Sequence, residues 1–147
     1  MMKFYIASRF DNKEAVLQIY EKLKEKGHEV HKDWTVHQPF YPYSSDPHRC
    51  AKYSEEDVKG AMDCDVFVLL ADEKAVSENS PNMHSHGRGM FIELGAAISS
   101  FLLRGSPKVF VIGPDNDKSI FHFHHAVTRF DTIEEVLDSL ELKKAAE

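Results

Sequence analysis

The sequence predicts a single α/β domain spanning residues 1–147: a five-stranded parallel sheet with helices on both faces. Three observations carry that prediction. Strand-type and helix-type patterns alternate along the whole chain. Two strand candidates, Asp65 to Ala71 and Val109 to Ile112, are nearly unbroken apolar runs, as expected of strands covered on both sides. Most connections are short, which favours right-handed crossovers between parallel neighbours. Such a sheet is of the flavodoxin or Rossmann type, and small ligands bind at the carboxyl ends of its strands.

Lys3 to Ala7 is a short β-prone run, and the Ala7-Ser8-Arg9 turn leads from it toward a helix. In that helix Val16, Ile19, Tyr20 and Leu23 recur at i, i+3, i+4 and i+7. Asp11 with Glu14 three residues later reads as a capping pair at its start, and Gly27 after a Lys-rich last turn reads as its stop. His28 to Trp34 has weak strand character. Ser54 to Met62 and Gly89 to Leu103 are the next helical patterns, the second with Met90, Leu94, Ala97, Ile98 and Phe101 on one stripe. Val127 to Phe130 is the last strand. The Thr132-Ile133-Glu134-Glu135 capping box then opens a helix that buries Ile133, Val136, Leu137 and Leu140.

Two long connections interrupt this rhythm. Thr35 to Lys52 carries Pro39, Phe40, Tyr41, Pro42, Tyr43 and Pro47, and Asp72 to Arg88 carries Asn79, Ser80, Pro81, Asn82 and two histidines. Loops of that length in a compact domain are usually functional or interfacial. Both leave the carboxyl ends of strand candidates, so both can roof one crevice.

Composition narrows the function classes. Eighteen Lys and Arg against twenty-four Asp and Glu give a net charge of -6, with no basic block to neutralise a phosphate backbone, so a nucleic-acid polymer is excluded as partner. No apolar stretch approaches the roughly 20 residues of a membrane span, and the amino terminus lacks a signal-peptide pattern, which places the chain in the cytoplasm. Cys50 and Cys64 stand in no metal-ligand or redox spacing and read as buried free thiols. The histidines His84, His86, His122, His124 and His125 match no known metal motif, and neither a metal nor another cofactor is expected. Gly87-Arg88-Gly89 is followed by Ile92 where a dinucleotide fingerprint needs its third glycine, and no Gly-Lys-Ser/Thr follows.

Glu93 stands within about a turn of a helix start, after the most buried strand candidate. There the helix dipole favours its ionised form, which can attack an electrophilic carbon such as the anomeric carbon of a sugar. The plain alternative is that Glu93 only complements the dipole. Asp57 lies three residues after Ser54, where it is either half of a capping box or a second acid. Two acids at the amino ends of the helices flanking one central strand can converge above it, as a two-carboxylate glycosidic site requires. Tyr5 can orient a carboxylate through its hydroxyl, or be a core aromatic with a wet tip. Ser8, Arg9 and Arg88 occupy strand-to-helix turns able to take a phosphate or another anion.

Tyr5-Ile6-Ala7-Ser8-Arg9, Asp57 ahead of Cys64-Asp65-Val66-Phe67-Val68-Leu69-Leu70, and Gly87-Arg88-Gly89-Met90-Phe91-Ile92-Glu93-Leu94-Gly95-Ala96-Ala97 together resemble the nucleoside 2-deoxyribosyltransferase superfamily. That superfamily includes base-exchanging transferases and 2'-deoxynucleoside 5'-phosphate N-hydrolases. The resemblance runs from Phe4 to Phe130, and its most specific element is Glu93-Leu94-Gly95 after a glycine-containing loop. It implies cleavage or transfer of the N-glycosidic bond of a (2-deoxy)nucleoside or nucleotide, with Glu93 as nucleophile, Tyr5 holding its carboxylate, and Asp57 contacting the sugar or assisting departure of the base. Ser8, Arg9, Trp34, Gly87, Arg88 and Gly89 would contact substrate, with Phe40, Tyr41 and Tyr43 further candidates to stack on the base or to pack in a subunit contact. A homodimer or higher homo-oligomer is implied as well. Ser8 stands where many members carry glycine, and two extra residues separate the Gly87 loop from Glu93. A non-catalytic nucleotide sensor and a hydrolase of another N-glycoside such as NAD are the alternatives.

Overall fold

The computed structural model describes residues 1–71, 88–113 and 119–146. Five strands, β1 (Lys3–Ala7), β2 (Glu29–Val30), β3 (Val66–Leu70), β4 (Lys108–Ile112) and β5 (Val127–Phe130), form one sheet in the order β2-β1-β3-β4-β5. Every neighbouring pair is parallel, as the apolar runs predict. Among the described residues four α-helices surround it: α1 (Lys13–Glu25), α2 (Pro47–Asp63), α3 (Arg88–Arg104) and α4 (Ile133–Ala146). No helix among the described residues is long and apolar enough to cross a membrane.

Helices α2 and α3 pack together, tied by Arg104, whose Nη2 donates to the Met62 carbonyl at 2.6 Å, and by Ser100, whose Oγ donates to the same oxygen at 3.2 Å. An ion pair between Lys22 and Glu134 joins α1 to α4. Side chains of β1 alternate between the two layers, because successive residues of a strand point to opposite faces. The core is continuous across both: Phe4, Tyr5, Ile6, Ala7, Val66, Phe67, Val68 and Leu69 are all buried. The chain order around β1 reverses between β2 and β3, so the crevice at the carboxyl ends of β1 and β3 is the topological switch point.

The boundaries of several elements differ from the sequence reading, each for a local reason. α1 begins at Lys13 behind a single 3-10 turn, Phe10–Asn12, and its cap residue Asn12 makes no side-chain capping bond, so Asp11 and Glu14 do not form the expected capping pair. Its end is as expected, with Gly27 at φ 78°. The strand expected from His28 to Trp34 is reduced to Glu29–Val30. Lys32, at φ 54°, turns the chain away, and Trp34 enters a buried 3-10 turn. α2 starts at Pro47 rather than Ser54, because Asp46 accepts a hydrogen bond from the Arg49 amide at 3.1 Å and proline is preorganised for the first helical turn. Ser54 is therefore interior, its hydroxyl donating to the Ala51 carbonyl at 3.1 Å, and no Ser54–Asp57 capping box exists. The aromatic loop shortens accordingly. Thr132 does cap α4, its Oγ1 accepting from the Glu135 amide at 3.3 Å while Glu135 Oε1 accepts from the Asp131 amide at 3.3 Å.

Candidate active site

Tyr5 is wholly buried in the middle of β1, with its ring lying nearly parallel to that of Phe67 on β3 at a centroid separation of 6.0 Å. Its hydroxyl emerges between α2 and α3 and donates to Glu93 Oε1 at 2.7 Å. Glu93, only 8 % exposed, is the sixth residue of α3. Asp57 comes from α2 and shares the hydrogen-bonding influence of the same hydroxyl. The phenol thus holds the Glu93 carboxyl of α3, and the Asp57 carboxyl of α2, 36 residues away in the chain, stands close enough for its charge to act on both.

Asp57, however, lies well inside α2, because that helix starts at Pro47. It is aimed by the helical repeat of Tyr53, Asp57 and Gly60 at i, i+4 and i+7, not by a helix start. Glu93 lies in the second turn of α3, beyond the turn where the dipole acts most strongly.

Burial, not the dipole, sets its charge. Desolvation, reinforced by the neighbouring Asp57 charge and opposed by the Tyr5 hydrogen bond, pushes the Glu93 carboxyl up to about 8. The expectation of a resting ionised Glu93 is therefore corrected: near neutrality it holds its proton. Burial pushes Asp57 up to about 6, against the pull of His37 and the Tyr5 hydroxyl. Tyr5 lies well above the ordinary phenol range, through burial and then the two carboxylates, so it stays a donor. Coupled acids titrate as a pair, and this pair carries one proton between about pH 6 and about pH 8.

The sequence reading missed His37. Its ring stacks on Tyr53 at 3.9 Å with 4° between planes, and its Nε2 lies 3.4 Å from Glu56 Oε2. Tyr53 and Glu56 are on α2 one turn and one residue before Asp57, which brings His37 close enough to oppose the rise that burial imposes on that acid. A histidine in a loop carries no periodic signal, so nothing local in the sequence marks it.

The remaining candidates divide. Ser8 Oγ donates to the Leu70 carbonyl at 2.9 Å and accepts from Asn12 Nδ2 at 3.0 Å, fastening the ends of β1 and β3 at the crevice. Arg9 is buried beside it. Trp34 is buried too, its Nε1 donating to the Ile6 carbonyl at 2.6 Å and its ring tilted against Phe10. Gly89 is exposed in the first turn of α3, with open space where a Cβ would stand. Of Arg88 the backbone, as the first residue of α3, is described; Gly87, His84, His86 and Asn79 to Asn82 lie outside the described residues. Phe40 and Tyr41 each meet Tyr43 edge to face, and the Arg49 guanidinium sits 4.0 Å over the Phe40 ring. Among the described residues no group of three or more His, Cys, Asp or Glu is arranged to hold a metal ion. Burial raises the Cys64 thiol to about 12, which leaves it inert.

No protein-family model matches the chain. No curated protein sequence matches it either. Among solved structures, that of the Clostridium botulinum CMP N-glycosidase BcmB is similar to it, with a TM-score of 0.55 and 19% sequence identity over 96% of this chain and 98% of the other. At that identity the similarity establishes a shared fold over nearly the whole of both chains.

Proposed function

We propose that this chain cleaves or transfers the N-glycosidic bond of a (2-deoxy)nucleoside or its 5'-monophosphate, with Glu93 as nucleophile. The observation that carries the reading is the Tyr5 hydroxyl donating to the buried Glu93 at 2.7 Å, with the half-buried Asp57 carboxyl close enough to share one proton with it. The full-length fold similarity to a CMP N-glycosidase supports it.

In the productive state the shared proton resides on Asp57 and Glu93 is ionised. The Glu93 carboxylate attacks the anomeric carbon, the C–N bond breaks with its electron pair passing to the base nitrogen, and Asp57 delivers the proton that nitrogen takes up. A glycosyl ester on Glu93 results. Water or a second base then attacks the same carbon, its proton goes to Asp57, and Glu93 is released as carboxylate. Developing positive charge on the sugar favours the ionised Glu93 that the empty site disfavours, so the buried acid gains its charge where it stabilises the transition state most. Tyr5 holds the attacking oxygen throughout. Ser8, Arg9 and Trp34, grouped at the ends of β1 and β3, are the substrate contacts of this reading, and Gly87, Arg88 and Gly89 are further contacts that it proposes from the sequence.

The test is a panel of nucleosides and monophosphates, ribo and 2-deoxy, assayed for free base by chromatography with and without an acceptor base. Base release from at least one of them, abolished by Glu93→Gln, is the expected result. Binding without release would instead make the chain a nucleotide sensor, and nicotinamide release from NAD alone would move the substrate class.

A further inference from the structure

We infer that Gly60 is a positioning residue for the Tyr5–Glu93 pair, its missing side chain being the space in which the Tyr5 ring lies. This rests on the site reading above and extends it to a residue on α2 that has no side chain of its own. A Cβ built on Gly60 stands 2.6 Å from Tyr5 Cε2, 2.8 Å from Tyr5 Cδ2 and 2.9 Å from Lys32 Cβ. Carbon atoms do not approach that closely, so any other residue at this position must displace a neighbour.

Glycine inside a helix is unfavourable relative to alanine, and Gly60 is a buried residue of α2. No left-handed backbone angle calls for it, since among the described residues those with positive φ are Gly27, Lys32, Gly105 and Gly113. Close approach is the remaining reason. The ring cannot retreat into the sheet that carries it, because β1 is flanked by β2 and β3, and sideways movement is limited by Phe67, its in-register neighbour on β3, whose ring lies nearly parallel beside it at 6.0 Å. What can give is the ring's tilt, and Cε2 adjoins the carbon that bears the hydroxyl. A methyl group on Gly60 therefore swings the hydroxyl off Glu93 Oε1. Because Gly60 follows Asp57 by one turn on the same face of α2, one helix both supplies the second acid and shapes the seat of the phenol that serves both.

The experiment follows the Glu93 carboxyl by carbon NMR titration in Gly60→Ala, Tyr5→Phe and the double variant, alongside base-release kinetics. The titration needs no substrate. Gly60→Ala is expected to move the Glu93 midpoint upward, in the direction of Tyr5→Phe, because the hydrogen bond that lowers it is lost; the double variant is expected to move it no further. In kinetics kcat falls at least about tenfold with KM within about threefold, and the two losses fail to multiply. An unchanged Glu93 midpoint in folded Gly60→Ala, or losses that multiply, overturns the inference. A shifted midpoint in a protein that releases base from no substrate supports the inference and sinks only the functional reading.

Lys32→Gly supplies the control for folding, since it removes the second contact and puts glycine at φ 54°. In that background Gly60→Ala is expected to give the same shift, and a return to wild-type titration would assign the effect to Lys32 and overturn the inference. Should this double variant not fold, adding Tyr5→Val decides the matter. Recovered folding shows that the ring is what the methyl meets; continued failure refutes it.

Discussion

Replacing Glu93 with glutamine should stabilise the protein above about pH 6, by an amount that grows with pH. The group's ordinary value is 4.5 and burial raises it to about 8 in the folded state. A carboxyl whose folded value is raised contributes its full relative stability below the unfolded value and loses it as pH climbs through the folded one. At about 1.36 kcal/mol per unit, the roughly 3.5-unit displacement sets a ceiling of about 5 kcal/mol, reached above pH 8; about 3 kcal/mol is already lost at pH 7, and less than about 1 at pH 5. Glutamine keeps an oxygen to accept the Tyr5 hydrogen bond but never ionises, so Glu93→Gln avoids that loss. Urea denaturation of both proteins at pH 5, 7 and 8.5 reads the difference directly, and a thermal shift on the order of 10 °C near pH 8 should accompany it. Curves that stay parallel across this range, or a variant less stable than wild type at pH 8.5, would refute the claim that a buried, reluctantly ionised acid lies at the centre of the site.

If the one-proton pair is the working state, base release should follow a bell in pH with limbs near 6 and 8 and a maximum near 7. Below the lower limb Glu93 has no charge, and above the upper one Asp57 has no proton; a rate still rising at pH 9 would contradict this. Trp34→Phe should cost about 1–3 kcal/mol in chemical denaturation, because the Ile6 carbonyl is left buried without the indole donor. Asp46→Ala should cost about 1 kcal/mol while Ser54→Ala costs nearly nothing, a comparison that tests by denaturation where α2 begins.

Part of the site was legible because it follows local rules. Glu93 could be singled out from a glycine-containing turn ahead of an amphipathic helix, and Tyr5 from its place in the first strand. Asp57 was found for a mistaken reason. Ser54 and Asp57 have capping spacing, but Asp46-Pro47 upstream is the stronger start signal, and it carries Asp57 to the helix interior, where its aim depends on helical phase. His37 and Gly60 left no local mark: one acts through a ring stacked on a different element, the other through an atom it lacks.

The sequence by itself determined the alternation of strands and helices, the burial of β3 and β4 on both faces, and the apolar stripes of α1, α3 and α4. These depend on periodicity and on transfer of apolar surface from water, which are properties of neighbours along the chain. Only the tertiary structure decided that Glu93 rests protonated, because its charge depends on how much water α2, α3 and β1 jointly exclude from one carboxyl. It alone decided as well that Tyr5 can reach that carboxyl, because a contact between residues 5 and 93, beside a helix with no side chain at position 60, is a matter of packed distance.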